Sequence, residues 1–136
     1  MNAMKRMKYF YEHVVSENLI DEFPQYIAED CMVRVGEQQF TIGYEGMKQH
    51  LLDVRKTYPD LAMKIIRQYS YRGTIVSEFV MEGTHLGEWL GMKPTSKKIT
   101  MNGVDIDRVV RGKIVEHGGA VGTFEALFEA GIIKPA

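Results

Sequence analysis

The second half of the chain sets the strongest constraint on what it can fold into. Four strand-like runs follow one another there: residues 61–71, 74–90, 98–110 and 113–121. Arg72-Gly73 and Arg111-Gly112 separate two of the pairs. A two-residue turn ending in glycine, set between strand-like runs, marks a hairpin. Gly91-Met92-Lys93-Pro94-Thr95-Ser96 forms the one longer loop of this half. Strands of this length exceed the usual ~5–6 residues. The glycines inside them, Gly83, Gly87 and Gly103, predict a bent and bulged sheet.

The first half is helical in character. Met7, Phe10, Tyr11, Val14 and Val15 recur at i, i+3, i+4, i+7 and i+8 within residues 4–19, so one apolar stripe faces a core. Met1-Asn2-Ala3 stands ahead of a second methionine and is read as lying outside the fold. Asp21 is expected to cap a short helix through Pro24, Gln25, Tyr26 and Ile27. Residues 31–35 and 39–42 read as short strands, with Gly36 in the turn between them. A longer helix spans 44–58 with Met47, Leu51, Leu52, Val54 and Tyr58, and Pro59 ends it. A last short helix, 123–130, stops at Gly131. Helices set before a meander of strands predict an α+β domain. All 136 residues fit one such domain, with a strongly curved sheet closed by helices around a concave apolar pocket.

Charge narrows the partners. Seventeen Lys and Arg against 18 Asp and Glu leave a net charge of -1, so no nucleic-acid partner is expected. No run approaches the ~18 apolar residues of a membrane helix, so no membrane partner is expected either. No apolar core follows the basic residues near the start, which predicts no secretory signal. The single cysteine, Cys31, excludes a disulfide within the chain and a Cys-rich zinc site. It has no neighbouring His or Lys in sequence and reads as a buried structural thiol. No metal-spaced cluster of His and carboxylates occurs, so no metal is expected. One thiol and no export signal make the cytoplasm the expected compartment.

Short motifs then follow in order: Tyr58-Pro59-Asp60-Leu61, Glu82-Gly83-Thr84-His85-Leu86-Gly87, and Gly91-Met92-Lys93-Pro94-Thr95. Asp105-Ile106-Asp107-Arg108 and Gly112-Lys113-Ile114-Val115-Glu116-His117 continue the series. Together they resemble the SnoaL-like polyketide cyclase family, of the nuclear transport factor 2-like superfamily. The resemblance implies a cone-shaped, curved antiparallel sheet with about three helices enclosing a deep pocket. It implies cofactor-free acid–base chemistry on a small hydrophobic molecule, of the aldol cyclisation or isomerisation type. It also implies a homo-oligomer, a dimer or higher. In the resembling cyclases the main acid falls at the position of Gly119, and a pocket histidine falls at Asp105. A pocket asparagine falls near Val33, and a further Trp and acid fall at Gly118 and Gly122.

Strand alternation sorts the candidates. If Asp105 faces the pocket, Gly103 and Asp107 share its face, and Val104, Ile106 and Arg108 take the other. If position 119 faces it, His117 and Val115 do too, and Glu116 points away. A carboxylate on an apolar wall has a raised pKa and serves as a base, which makes Asp105 the first candidate. His117 suits proton transfer near neutral pH. Asp107 and His85 complete the catalytic candidates. The bland alternatives are Asp105 paired with Arg108 or Lys113, His117 bonded within the sheet, and His85 held by Thr84 or Glu88. Trp89, Phe10 and Met101 are candidate walls of a hydrophobic substrate site. Two functions fit: a cofactor-free acid–base enzyme, or a non-catalytic small-molecule-binding module that has lost the cyclase acids.

Overall fold

The computed structural model describes residues 2–89 and 91–133. Helix α1 (Ala3–Tyr9) starts at Asn2, whose side chain accepts a hydrogen bond from the Lys5 N–H at 2.9 Å. Asn2 is therefore part of the fold rather than an appendage, because it satisfies one of the free N–H groups at the helix start. The helix continues as a π-helical segment, Phe10–Val15. All five residues of the expected apolar stripe are buried, and Met7, Phe10 and Val14 are fully so. Burial of each such side chain stabilises the fold by roughly 1.5–3 kcal/mol.

The short helix Ile20–Gln25 is a 3₁₀ helix with Leu19 rather than Asp21 at its cap. Strand β1 (Ile27–Val35) begins four residues earlier than expected, because its start lies along β6 (Lys113–Val121), where Ile27 pairs with Ile114. Strand β2 (Gln38–Thr41) pairs back onto β1. Helix α2 (Gly43–Thr57) follows, then β3 (Ala62–Tyr71), β4 (Thr74–Thr84), β5 (Lys98–Val110), β6 and α3 (Thr123–Glu129). The six strands form one open sheet in the order β2-β1-β6-β5-β4-β3. All pairings are antiparallel except that of β1 with β6, which is parallel. Both expected hairpin turns form: Arg72-Gly73 and Arg111-Gly112 each have two consecutive positive φ angles, as a two-residue hairpin turn requires.

The register shifts that bend the sheet fall at Ile66 in β3, at Val115 in β6 and between Ile27 and Met32 in β1, rather than at the glycines. Strand β4 stops at Thr84, well before residue 90, and Leu90 itself lies outside the described residues. The stop has a cause in the hydrogen bonding. The N–H groups of Leu86 and Gly87 turn to the Thr57 carbonyl at the end of α2, both at 3.1 Å. The His85 N–H bonds Lys97 O at 2.9 Å, and the His85 carbonyl accepts from the N–H groups of Thr95 and Ser96. Asp60 accepts from the Thr84 N–H and hydroxyl at 2.6 and 2.7 Å. A Cβ on Gly83 would stand 2.6 Å from that of Tyr58, and one on Gly87 would run into the Lys56 carbonyl. The three motifs around residues 58–61, 82–87 and 91–95 thus tie one knot where α2 meets β4.

Strand β3 is a sheet edge, and its outward N–H groups need partners. Helix side chains supply them: Ser16 Oγ accepts from the Met63 N–H at 2.8 Å and Glu12 from the Ile65 N–H at 2.9 Å. Arg55 donates to the Val15 and Ser16 carbonyls at 2.6 and 2.8 Å, which fixes α2 against the end of the π-helical segment. The core fills the space between these helices and the inner face of β3–β6. Among the described residues no helix is long and apolar enough to cross a membrane.

Candidate active site

Strands β5 and β6 build the site. Their register sets Asp105 opposite Gly119 and Asp107 opposite His117. Asp107 is fully buried, and its two oxygens are both occupied. Tyr11, from the π-helical segment, donates its hydroxyl to Asp107 Oδ2 at 2.6 Å. His117 Nδ1 lies 2.6 Å from Asp107 Oδ1. An ionised carboxylate only accepts, so His117 carries a proton on Nδ1. Its Nε2 is then turned towards Asp105, with Oδ1 at 4.0 Å. Asp105 is 8 % exposed, and its other oxygen, Oδ2, is buried without a hydrogen-bond partner.

The electrostatics follow from this geometry. Burial, helped by the charge of Asp107, pushes the Asp105 carboxyl up to about 7 against the pull of His117. Burial opposes the charge on His117, but the Asp107 charge and hydrogen bond, with Asp105, outweigh it and raise His117 above its ordinary value. Burial and the two carboxylates hold Tyr11 well above the usual phenol range, so it remains a donor. Cys31 is fully buried, and burial with Asp107 and Asp30 pushes its thiol up to about 11.

Asp105 and His117 open onto a cavity of about 130 Å³. Its apolar walls are Val15, Leu51, Val54, Leu61, Met63, Phe79, Met81 and Val121, with Tyr11 and His50 as the remaining polar groups. His50 comes from α2 and its ring centre is 6.5 Å from that of His117. Burial, then the neighbouring His117, lowers its pKa.

The structure brings together three of the four catalytic candidates, Asp105, Asp107 and His117. Asp107 touches the site through its hydrogen bonds. His85 sits elsewhere: it is fully buried in the knot, with Nδ1 3.0 Å from Thr95 Oγ1 rather than bonded to Thr84 or Glu88. Phe10 lies behind the site, its ring edge-on to Tyr11 at 5.0 Å. Met101 is buried opposite Met81 on the neighbouring strand. Trp89 lines a separate hollow of about 380 Å³ beside α2. Sequence reasoning missed the roles of Tyr11 and His50. A hydroxyl on the buried stripe was the signal for Tyr11, and the spacing Met47, His50, Val54 on one helix face was the signal for His50.

The parity on β6 departs from the expectation at one point. Val115 is the bulged residue, so Ile114, not Val115, is buried on the side of His117. Gly119 has φ +138°, and a Cβ there would run into the Val104 carbonyl. No side chain fits that position without a backbone shift. Val33, near the place of the pocket asparagine, lies beside His117 in the β1–β6 register. Among the described residues no three His, Cys, Asp or Glu side chains are grouped to hold a metal ion.

Comparison with known proteins places this geometry. No curated protein matches the chain. The structure is similar to IdmH, a candidate polyketide cyclase from Streptomyces antibioticus, with a TM-score of 0.81 at 20% identity, covering 96% of this chain and 99% of that one. It is similar to a candidate SnoaL-like polyketide cyclase from Jannaschia sp. CCS1, with a TM-score of 0.82 at 12% identity, covering 98% and 93%. AclR, a candidate hydroxylase from Streptomyces galilaeus, matches with a TM-score of 0.78 at 20% identity, covering 99% and 90%. At such identities the shared property is the nuclear transport factor 2-like fold. A family model described as SnoaL-like polyketide cyclase matches residues 5–124, nearly the whole chain, and the protein belongs to that family.

Proposed function

We propose that this chain is a cofactor-free acid–base enzyme that forms the enolate of a small carbonyl compound. Asp105 is the base and His117 the proton donor. One observation carries the reading: a buried carboxylate with a free oxygen, 4.0 Å from the Nε2 of a histidine, on the wall of an apolar cavity. A carboxylate kept for the sheet surface would have Arg108 or Lys113 beside it. Arg108 instead lies on the other face of β5 and Lys113 at the far end of β6. A site kept only for binding gains nothing from a buried acid with one oxygen left unpaired, which costs roughly 1–3 kcal/mol or more.

Asp105 as carboxylate takes a proton from the carbon beside the substrate carbonyl. The electron pair of the broken C–H bond moves onto the carbonyl oxygen, and His117, carrying a proton on each ring nitrogen, hydrogen-bonds that oxygen through Nε2–H as charge develops. Return of the proton to another carbon gives an isomerisation. Attack of the enolate carbon on a second carbonyl, whose oxygen takes the proton from His117 Nε2, gives an aldol closure, and the proton held by Asp105 then passes to His117 and restores both groups. Tyr11 holds Asp107, and Asp107 positions His117 and favours its doubly protonated form. The resembling cyclases carry an acid at the position of Gly119 and a histidine at that of Asp105. Here an acid stands on β5 at the histidine's position, Gly119 leaves β6 without its acid, and His117, part of the resembling motif, is the imidazole that remains.

The test needs no natural substrate. Cyclohexanone in D₂O exchanges its α-protons, and the exchange is followed by proton NMR. Wild-type protein accelerates it, and Asp105→Asn loses about 100-fold or more of that acceleration. Equal rates for the two proteins would remove Asp105 from the mechanism.

A further inference from the structure

We infer that His50 and Val54 divide the site into two chambers, and that only a single ring, or a segment of that bulk, reaches Asp105. The inner chamber is the cavity of about 130 Å³. The outer is the hollow of about 380 Å³ lined by Trp89, Tyr58 and the charged Asp53, Lys56 and Glu88. His50 and Val54 belong to the walls of both. They lie one turn apart on the same face of α2, so a single helix edge forms the whole divide.

Size decides what the inner chamber takes. An apolar cavity of about 150 Å³ admits benzene, whereas pockets for whole drug-sized ligands run to ~300 Å³ or more. At about 130 Å³ the inner chamber is slightly smaller than that, so a single ring is the upper limit beside Asp105 and a fused ring system does not fit. The outer hollow has a different chemistry. Its charged residues Asp53, Lys56 and Glu88 face solvent and suit a polar group of the ligand. The substrate class is thus a carbonyl compound with a small apolar reacting end and a polar remainder that lies outside the divide. His50 is the specificity-determining residue, since it stands exposed at the rim that both hollows share and a larger ligand must pass it. This inference rests on the proposed function only in taking the inner chamber as the place of reaction.

Binding tests it independently of turnover. Methyl-labelled protein is titrated with cyclohexanone and with 2-decalone, and the Met63 and Met81 methyl signals of the inner wall are followed. Wild type binds cyclohexanone there at least tenfold more tightly than 2-decalone. His50→Ala and Val54→Ala each shrink that preference at least tenfold, while Gln49→Ala, on the same helix but lining neither hollow, leaves it unchanged. Equal binding of the two ketones by wild type, an unchanged preference in both divide variants, or no shift of the methyls with either ketone would overturn the proposal. Loss of the Asp105 effect on exchange would leave this binding result standing, and failure of the size rule would leave the exchange result standing.

Discussion

Asp105 and Gly119 face one another across β5 and β6. A side chain at 119 would collide with backbone, while one at 105 reaches a cavity. Alternation along β5 was enough to put Asp105 and Asp107 on one inner face, because that strand pairs with β4 without a bulge. It was not enough on β6, where the bulge at Val115 reverses the parity below His117. Nothing local in Ile114-Val115-Glu116 marks that bulge, which arises from pairing with strands on both sides. Tyr11 and His50 were illegible for a related reason: each reaches the site from a helix distant in sequence. Asp107 is the residue whose removal tests this arrangement. Burial alone drives His117 towards its neutral form, and Asp107 reverses the sign. Asp107→Asn should therefore lower the His117 titration, as read by NMR of the ring. A midpoint that stays raised would assign the effect to another group.

At the scale of elements, the residues that carried the family resemblance are mostly not the chemical ones. Asp60, Gly83, Thr84, His85 and Gly87 join the end of α2 to β4, so their pattern made the fold legible and left the reaction open. The helices and the meander were likewise legible from periodicity and turns. The π-helical turn was not, since its extra residue per turn leaves the apolar spacing intact; it sets Tyr11 against Asp107. The parallel contact of β1 with β6 was hidden because it joins strands far apart in the chain. Gly87→Ala tests the knot. Its Cβ would meet the Lys56 backbone, which cannot rotate aside, so the variant should lose about 2–3 kcal/mol in chemical denaturation. A loss below about 0.5 kcal/mol would show that the two elements are less tightly joined.

Across the whole molecule, the site opposes the stability of the fold. Asp105 titrates at about 7 when folded and at ~3.9 when unfolded. Below both values it is protonated in each state and contributes nothing. Between them the unfolded chain releases a proton that the folded chain keeps, so stability falls as pH rises from about 4 to 7. The full loss is on the order of 4 kcal/mol. Asp105→Asn should then be little different from wild type below pH ~4 and more stable by a few kcal/mol above pH ~8. A difference that does not vary with pH would mean that Asp105 ionises normally in the fold. The same property that weakens the protein makes the base available near neutral pH, and both meet in one experiment. The rate of α-proton exchange in cyclohexanone is measured against pH for wild type and Asp105→Asn. The account predicts a wild-type rate that climbs with a midpoint near 7 as Asp105 ionises, and a variant that lacks both the climb and the acceleration. A variant that exchanges at the wild-type rate with the same midpoint would contradict it.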